Sequence, residues 1–225
     1  MGSSATAILK TNSATYDITF GTHFHDGSEK IQNSQGNMFY ALNQNGYYSS
    51  SAEFTNKYTD KYQNSYTYTH RTFLWANFSS PSVQFLLGQD AIVDGNFQGS
   101  PNGSYGFEEF SFNWNFEVLD ADAVLRFTSV YPLGTGLYTL ENLITGEIKL
   151  LENNVSQEYL TLNKGSNYLL SLNMRKQSIS DGEDNIVHLH FENASFSVPA
   201  PSNILILLLA LIAVIPLRKS FPRFA

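Results

Sequence analysis

The stretch FSFNWNFEV at residues 110–118 alternates apolar and polar side chains over nine positions. Successive side chains of a strand point to opposite faces, so a period of two residues predicts a β-strand with one buried and one solvated face. The residues predicted to point inward are Phe110, Phe112, Trp114, Phe116 and Val118. We therefore expect this stretch to be a strand with one face in a hydrophobic core.

Weaker alternation of the same period continues on both sides of this strand. The further predicted strands are 16–20, 38–42, 66–78, 83–87, 123–130, 137–140, 147–151, 159–162, 168–174 and 186–191. Segments rich in Gly, Asn, Ser and Pro predict turns at 43–46, 94–104, 132–136, 163–167 and 180–185. Many short strands at this spacing predict an all-β fold, an antiparallel β-sandwich or jelly-roll-like domain.

One irregularity interrupts the alternation near Asn193. The inward positions are Val187, Leu189 and Phe191 before it, and Phe196 and Val198 after it. A shift of this kind predicts a β-bulge or a break in the strand.

The composition limits the class of protein. The chain has 225 residues, of which 42% are hydrophobic, so a packed core can form. Its 20 acidic residues outnumber 13 basic ones, and three of the basic residues lie in the last eight positions, which contain no acid. A body this acidic repels phosphate groups, so we expect no nucleic-acid partner. Because the chain has no cysteine, a disulfide framework, a thiolate metal site and a cysteine nucleophile are excluded.

The body is predicted to be one domain, a β-sandwich ectodomain at 8–197. A division into two domains near the Gly- and Ser-rich loop 94–104 is the alternative. The N-terminus lacks the basic region and apolar region of a secretory signal peptide, but Ala5-Thr6-Ala7 matches the small-residue pattern of a signal-peptidase site. We interpret residues 1–7 as the remnant of a cleavage region whose upstream signal is missing.

The C-terminal segment VPAPSNILILLLALIAVIPLRKSF at 198–221 differs sharply from the body. Residues 204–217 carry no charged or hydrogen-bonding side chain, and fourteen residues form a helix of about 21 Å. The hydrocarbon core is ~30 Å thick, and residues 198–217 can span it if Arg218 and Lys219 reach the interface. The basic pair also fits a cytoplasmic flank. We predict a single transmembrane helix; an ordinary tail anchor and a buried terminal helix are the alternatives.

This tail resembles the PEP-CTERM sorting signal of Gram-negative bacteria. The resemblance rests on the motif Val198, Pro199, Ala200, Pro201 and Ser202, the aliphatic helix 204–217, and the basic tail 218–225 with Arg218 and Lys219. Most members have Glu between the prolines, where this chain has Ala200. The resemblance implies that an exosortase, a membrane-embedded cysteine transpeptidase, cleaves near the motif. It also implies an association with exopolysaccharide and the biofilm matrix.

Two groups of side chains are candidate metal sites. His188, His190 and Glu192 alternate with core residues and would share one strand face, where they could bind zinc; His23, His25 and Asp26 could add ligands. An ordinary solvated strand face has the same pattern. Asp181, Glu183 and Asp184 surround a glycine and could bind Ca²⁺, although an acidic hairpin turn explains them equally well. Otherwise we expect no cofactor.

No catalytic motif points to an enzyme. Glu108 and Glu109 are neighbours, so on a strand they would face opposite sides and could not flank one glycosidic bond. Many tyrosines lie in polar stretches and could stack on sugar rings, although tyrosine also simply favours strands. These tyrosines are Tyr47, Tyr48, Tyr58, Tyr62, Tyr66 and Tyr68.

Together these features predict a secreted, non-enzymatic bacterial surface or extracellular-matrix protein that is sorted to the cell envelope. It would be anchored transiently in the inner membrane by its C-terminal helix. Its partners would be an exosortase, that membrane and exopolysaccharide. The alternative is a membrane-anchored carbohydrate-binding module or glycan-active enzyme.

Overall fold

The computed structural model describes residues 6–23, 28–38, 42, 46–59, 65–95, 105–130, 134–152, 158–178 and 185–197. Within these ranges the chain is nearly all β-structure, with thirteen strands in two sheets. The strands are β1 (Ala7–His23), β2 (Glu29–Asn37), β3 (Tyr47–Thr59), β4 (Ser65–Ser79), β5 (Ser82–Gly95), β6 (Tyr105–Leu119), β7 (Ala123–Val130), β8 (Gly134–Asn142), β9 (Glu147–Leu151), β10 (Glu158–Leu162), β11 (Asn167–Ser178), β12 (Asn185–Glu192) and β13 (Ala194–Ser197). The all-β prediction is therefore confirmed.

Sheet A has the strand order β13-β1-β6-β11-β8-β9, and β2 also pairs with β1. Along one edge, the long strand β1 pairs with two different strands in succession. Its beginning pairs with β13 in parallel, and its second half pairs with β2 antiparallel. Sheet B has the order β10-β7-β12-β5-β4-β3 and is antiparallel throughout its described pairs.

From β5 onward the chain changes sheet at most connections, because β6, β8, β11 and β13 belong to sheet A whereas β7, β10 and β12 belong to sheet B. The β6–β7 connection turns at Asp120, which has a left-handed φ of 66°. Lys164 N donates to Asp122 Oδ1 at 2.7 Å, so this turn is held against the β10–β11 turn. Each sheet thus receives strands from both halves of the chain.

The core lies between the two sheets and is rich in aromatic rings. All five inward residues predicted for 110–118 are buried, with at most 2% of each side chain exposed. The rings of Phe110 and Phe112 lie 5.3 and 4.8 Å from that of Phe85 in sheet B, and Trp114 meets Phe191 edge to face at 5.4 Å. These contacts join the sheets along the middle of β6.

The predicted irregularity at Asn193 is a strand break, and the chain changes sheet there. Asn193 has a left-handed φ of 53°, β12 before it lies in sheet B, and β13 after it lies in sheet A. The turn between β4 and β5 holds both sides of the crossing. Phe191 N donates to Pro81 O at 3.0 Å, and Phe196 N donates to Ser80 Oγ at 3.2 Å.

Several predicted boundaries were wrong. The polar strand β2 and the strand β3 were not predicted, and 134–136 belong to β8 rather than to a turn. Residues 38–42 are not a strand where they are described, because Leu42 N donates to Met38 O at 3.1 Å, as in a helical turn. Of the described part of the chain, no helix is long and apolar enough to span a membrane. The helix predicted at 204–217 lies outside the described residues, as do the basic tail 218–225 and most of residues 1–7.

Candidate functional site on the outer face of sheet B

The outer face of sheet B carries two neighbouring rows of side chains that run across the strands. The polar row consists of residues directly opposite one another on β3, β4, β5, β12 and β7: Tyr47, Asn77, Gln84, His188 and Thr128. Asn77, Gln84, His188 and Thr128 alternate with buried residues of their own strands, and Tyr47 precedes the half-buried Tyr48. The row is therefore the solvated side of five adjacent strands.

The apolar row is two residues further along each strand and consists of Trp75, Leu86, Ile186 and Val130. Val130 is 51% exposed, and the other three side chains are half-buried. A polar and an apolar strip thus lie side by side on one sheet. This arrangement differs from an ordinary solvated face, on which polar residues predominate.

An aromatic pair connects the two rows at the β3–β4 edge. The Tyr47 side chain is 72% exposed, and its ring centroid lies 5.7 Å from that of Trp75 with an angle of 38° between the planes. Next to Trp75 on the same face, Phe73 lies opposite Gly88. A β-carbon at Gly88 would be 1.9 Å from the Phe73 ring, so the glycine makes room for the ring.

His188 is the one member of the two rows whose side chain can take up a proton and become positively charged. Burial lowers the pKa of its imidazole below the ordinary value of 6.5, and repulsion from His190 and Arg126 lowers this pKa further. His188 is therefore uncharged at neutral pH. The polar row then carries no formal charge.

The predicted zinc ligands occupy the expected strand face. Val187, Leu189 and Phe191 are buried, so His188, His190 and Glu192 project from the other side. The two imidazole rings are 6.5 Å apart, and His190 Nδ1 forms a 2.7 Å hydrogen bond with Ser82 Oγ. Over the ranges given above, no three His, Asp or Glu side chains form a group that could hold a metal ion.

Other predicted site residues lie outside the described residues. They are the calcium candidates Asp181, Glu183 and Asp184, the additional ligands His25 and Asp26, Tyr62, and the sorting motif 198–202. Of the tyrosines singled out from the sequence, Tyr47 is exposed in the polar row. Tyr48 instead points inward and donates a 2.6 Å hydrogen bond to the Tyr16 hydroxyl.

The outer face of sheet A has a different character. A groove of 490 Å³ lies over β1, β6, β11 and β8, where Asp17, Ser111, Asn173 and Leu137 stand opposite one another. Beside them, Arg175 Nε and Glu109 Oε1 form an ion pair at 3.2 Å. This groove is lined by charged as well as apolar side chains, and the aromatic residue of its lining, Phe110, belongs to the core.

Glu108 and Glu109 face opposite sides, as the strand alternation predicted. Glu109 is exposed, whereas Glu108 is fully buried and accepts a 3.0 Å hydrogen bond from Phe73 N of sheet B. Opposite Glu108 on β11 lies Lys176, which is also fully buried. Sequence reasoning missed this buried pair, although Lys176 continues the inward alternation of Leu172 and Met174.

No protein-family model, no curated protein and no solved structure matches this chain.

Proposed function

We propose that this chain is a secreted bacterial surface or matrix protein that an exosortase processes at residues 198–202. The observation that carries this proposal is the position of the motif relative to the fold. The last described strand, β13, ends at Ser197, one residue before Val198. Cleavage at the motif would therefore separate the tail from the sandwich without cutting a described strand.

The proposed mechanism depends on the position of each part of the tail relative to the membrane. As a helix, residues 204–217 would have no polar face and would be more stable among lipid tails than in water, and Arg218 with Lys219 would stay on the cytoplasmic side. The motif would then lie at the outer surface of the inner membrane, within reach of a membrane-embedded transpeptidase. Cleavage there would free the acidic domain toward the exopolysaccharide matrix.

Epitope-tagged full-length chain, expressed in an exosortase-bearing host and in the same host without the exosortase, tests this proposal. We expect a shortened, released form in the first host only. The double substitution Pro199→Ala with Pro201→Ala should keep the chain intact in the membrane, whereas Pro222→Ala, outside the motif, should leave processing unchanged. An intact tail on the wild-type chain in the exosortase-bearing host would exclude processing.

The second candidate function is that of a membrane-anchored carbohydrate-binding module, and the aromatic pair of Tyr47 and Trp75 favours it. Exposed rings can stack on sugar rings while neighbouring amides bond hydroxyl groups. Of the two forms of this alternative, a binding module is favoured over a glycan-active enzyme, because Glu108 is buried and Glu109 is on the other face. A glycan array probed with the full-length chain in detergent tests for binding, and an array without signal would exclude this candidate.

A further inference from the structure

We propose that an uncharged polysaccharide chain binds across the outer face of sheet B, with a sugar ring on Tyr47 and Trp75 and hydroxyl groups bonded by the polar row. This inference rests on the second candidate function, carbohydrate binding, and specifies its site and ligand class. It is independent of processing at the tail.

The two rows match the two kinds of surface of a sugar. A pyranose ring presents C–H groups on its faces and hydroxyl groups around its edge. The exposed Tyr47 ring and the neighbouring Trp75 ring offer an apolar aromatic surface for the first. Asn77, Gln84 and His188 offer amide and imidazole donors and acceptors for the second.

The charge of the site selects an uncharged ligand. Neither row contains Asp, Glu, Lys or Arg, although acidic residues outnumber basic ones in the chain. Arg126 stands beside the polar row, opposite His190, but belongs to neither row. Within the two rows a charged polymer would lose hydration without gaining an ion pair, whereas a neutral polymer would lose little. The groove on sheet A, with Asp17 and the Glu109–Arg175 pair, lacks this neutrality.

The length of the site selects a chain rather than a single sugar. The polar row crosses five adjacent strands, from Tyr47 on β3 to Thr128 on β7. At about 4.8 Å between strands, the row is about 19 Å long. A ligand that follows the row therefore contacts it through several sugar units.

Titration of the full-length chain in detergent with neutral polysaccharides of different linkages, and with polygalacturonate as a charged comparison, tests the inference. We expect binding to at least one neutral polymer and weaker binding to polygalacturonate. Trp75→Ala and Tyr47→Ala should each lower the affinity roughly tenfold, which corresponds to about 1.4 kcal/mol. Tyr47→Phe should retain most of the affinity, because it keeps the ring.

Tyr159→Ala is the matched control, since Tyr159 is 54% exposed on the same sheet face but lies opposite Arg126, outside both rows. It should bind as the wild type does, and thermal melting should show that every variant is folded.

Absence of binding to every neutral polymer, or preference for polygalacturonate, would overturn the inference. If the chain binds sugar but Trp75→Ala and Tyr47→Ala have no effect, carbohydrate binding stands and this site is wrong. A change in oligomeric state in place of sugar binding would also overturn it and assign the face to a second copy. Tail processing in the exosortase-bearing host is a separate readout that none of these results alters.

Discussion

At the scale of single residues, Tyr16 and Tyr48 connect the two sheets through their hydroxyl groups. Tyr16 lies on β1 of sheet A, Tyr48 lies on β3 of sheet B, and their ring centroids are 4.8 Å apart. Burial, together with the hydrogen bond to Tyr16, raises the pKa of Tyr48 to about 12. The contact is therefore stable only while the Tyr48 hydroxyl keeps its proton.

Tyr48→Phe should lower the free energy of unfolding at neutral pH by about 1 kcal/mol, because the half-buried Tyr16 hydroxyl loses its donor. The folded-state pKa of Tyr48 is above its unfolded value of 10, so its contribution is complete below pH 10 and is lost as the pH rises toward 12. Urea denaturation at several alkaline pH values measures this. The wild type should lose its advantage over Tyr48→Phe in that interval; a constant difference would contradict the prediction.

His188 should make the domain sensitive to acid. Its folded-state pKa lies below its unfolded value of 6.5, so the unfolded chain takes up a proton first as the pH falls. Stability that is present above pH 6.5 is lost as the pH decreases toward the folded-state pKa. His188→Gln, which cannot take up this proton, should show a smaller decrease in unfolding free energy between pH 7 and pH 5. Equal slopes for the two proteins would exclude this role.

At the scale of secondary-structure elements, the predicted strand β6 and the missed strand β2 show how burial of one face makes a strand visible in the sequence. Strand β6 was predicted because five large apolar side chains alternate along it, and all five are buried. Strand β2 has no buried residue, and it joins the fold through backbone pairing to β1 and polar contacts such as the 3.1 Å hydrogen bond from Lys30 Nζ to Thr55 O. Its sequence, EKIQNSQGN, therefore carries no signal of burial, and its conformation depends on its pairing partner.

The candidate site was only partly predictable for a related reason. Alternation along each strand places Trp75, Gln84 and His188 on outer faces once the strands are known. Whether they stand side by side depends on the pairing of β5 with β12, which are about a hundred residues apart. Nothing local in either strand specifies that pairing. The tyrosine-rich composition suggested contact with sugars, but the rows themselves became visible only from the strand order.

Strands β6 and β11 also carry the least expected feature of the core, the buried residues Glu108 and Lys176 opposite each other. Glu108→Gln keeps an acceptor for Phe73 N but removes the charge opposite Lys176, and we expect it to cost about 3 kcal/mol of unfolding free energy. Lys176→Met in the Glu108→Gln background should restore much of that loss. Urea denaturation of the wild type, the single variants Glu108→Gln and Lys176→Met, and the double variant gives the coupling energy between the two side chains. Strictly additive effects would show that the two side chains do not interact.

At the scale of the whole molecule, the first and last described strands, β1 and β13, pair with each other at one edge of sheet A. Ala7 N donates to Asn193 O at 2.8 Å, and residues 7–10 pair with 194–197. The N-terminal strand also pairs with β6 over nearly its full length. Sheet A is therefore complete only after β13 has formed.

Strand β13 should consequently be part of the stable domain, although it has only four residues. Phe196 packs edge to face on Trp114 at 5.4 Å and on Phe191 at 5.8 Å, and so covers the crossing between the sheets. Because its side chain is only half-buried, Phe196→Ala should cost about 2 kcal/mol, less than the 3–5 kcal/mol typical of a buried Phe. Ser195→Ala, an exposed position on the same strand, should have no effect on chemical denaturation.

A chain that ends at Ser197 should unfold like the full-length domain, whereas one that ends at Asn193 should be less stable by at least the Phe196 contribution. Equal stability of these two truncated chains would mean that β13 belongs to the tail rather than to the sandwich.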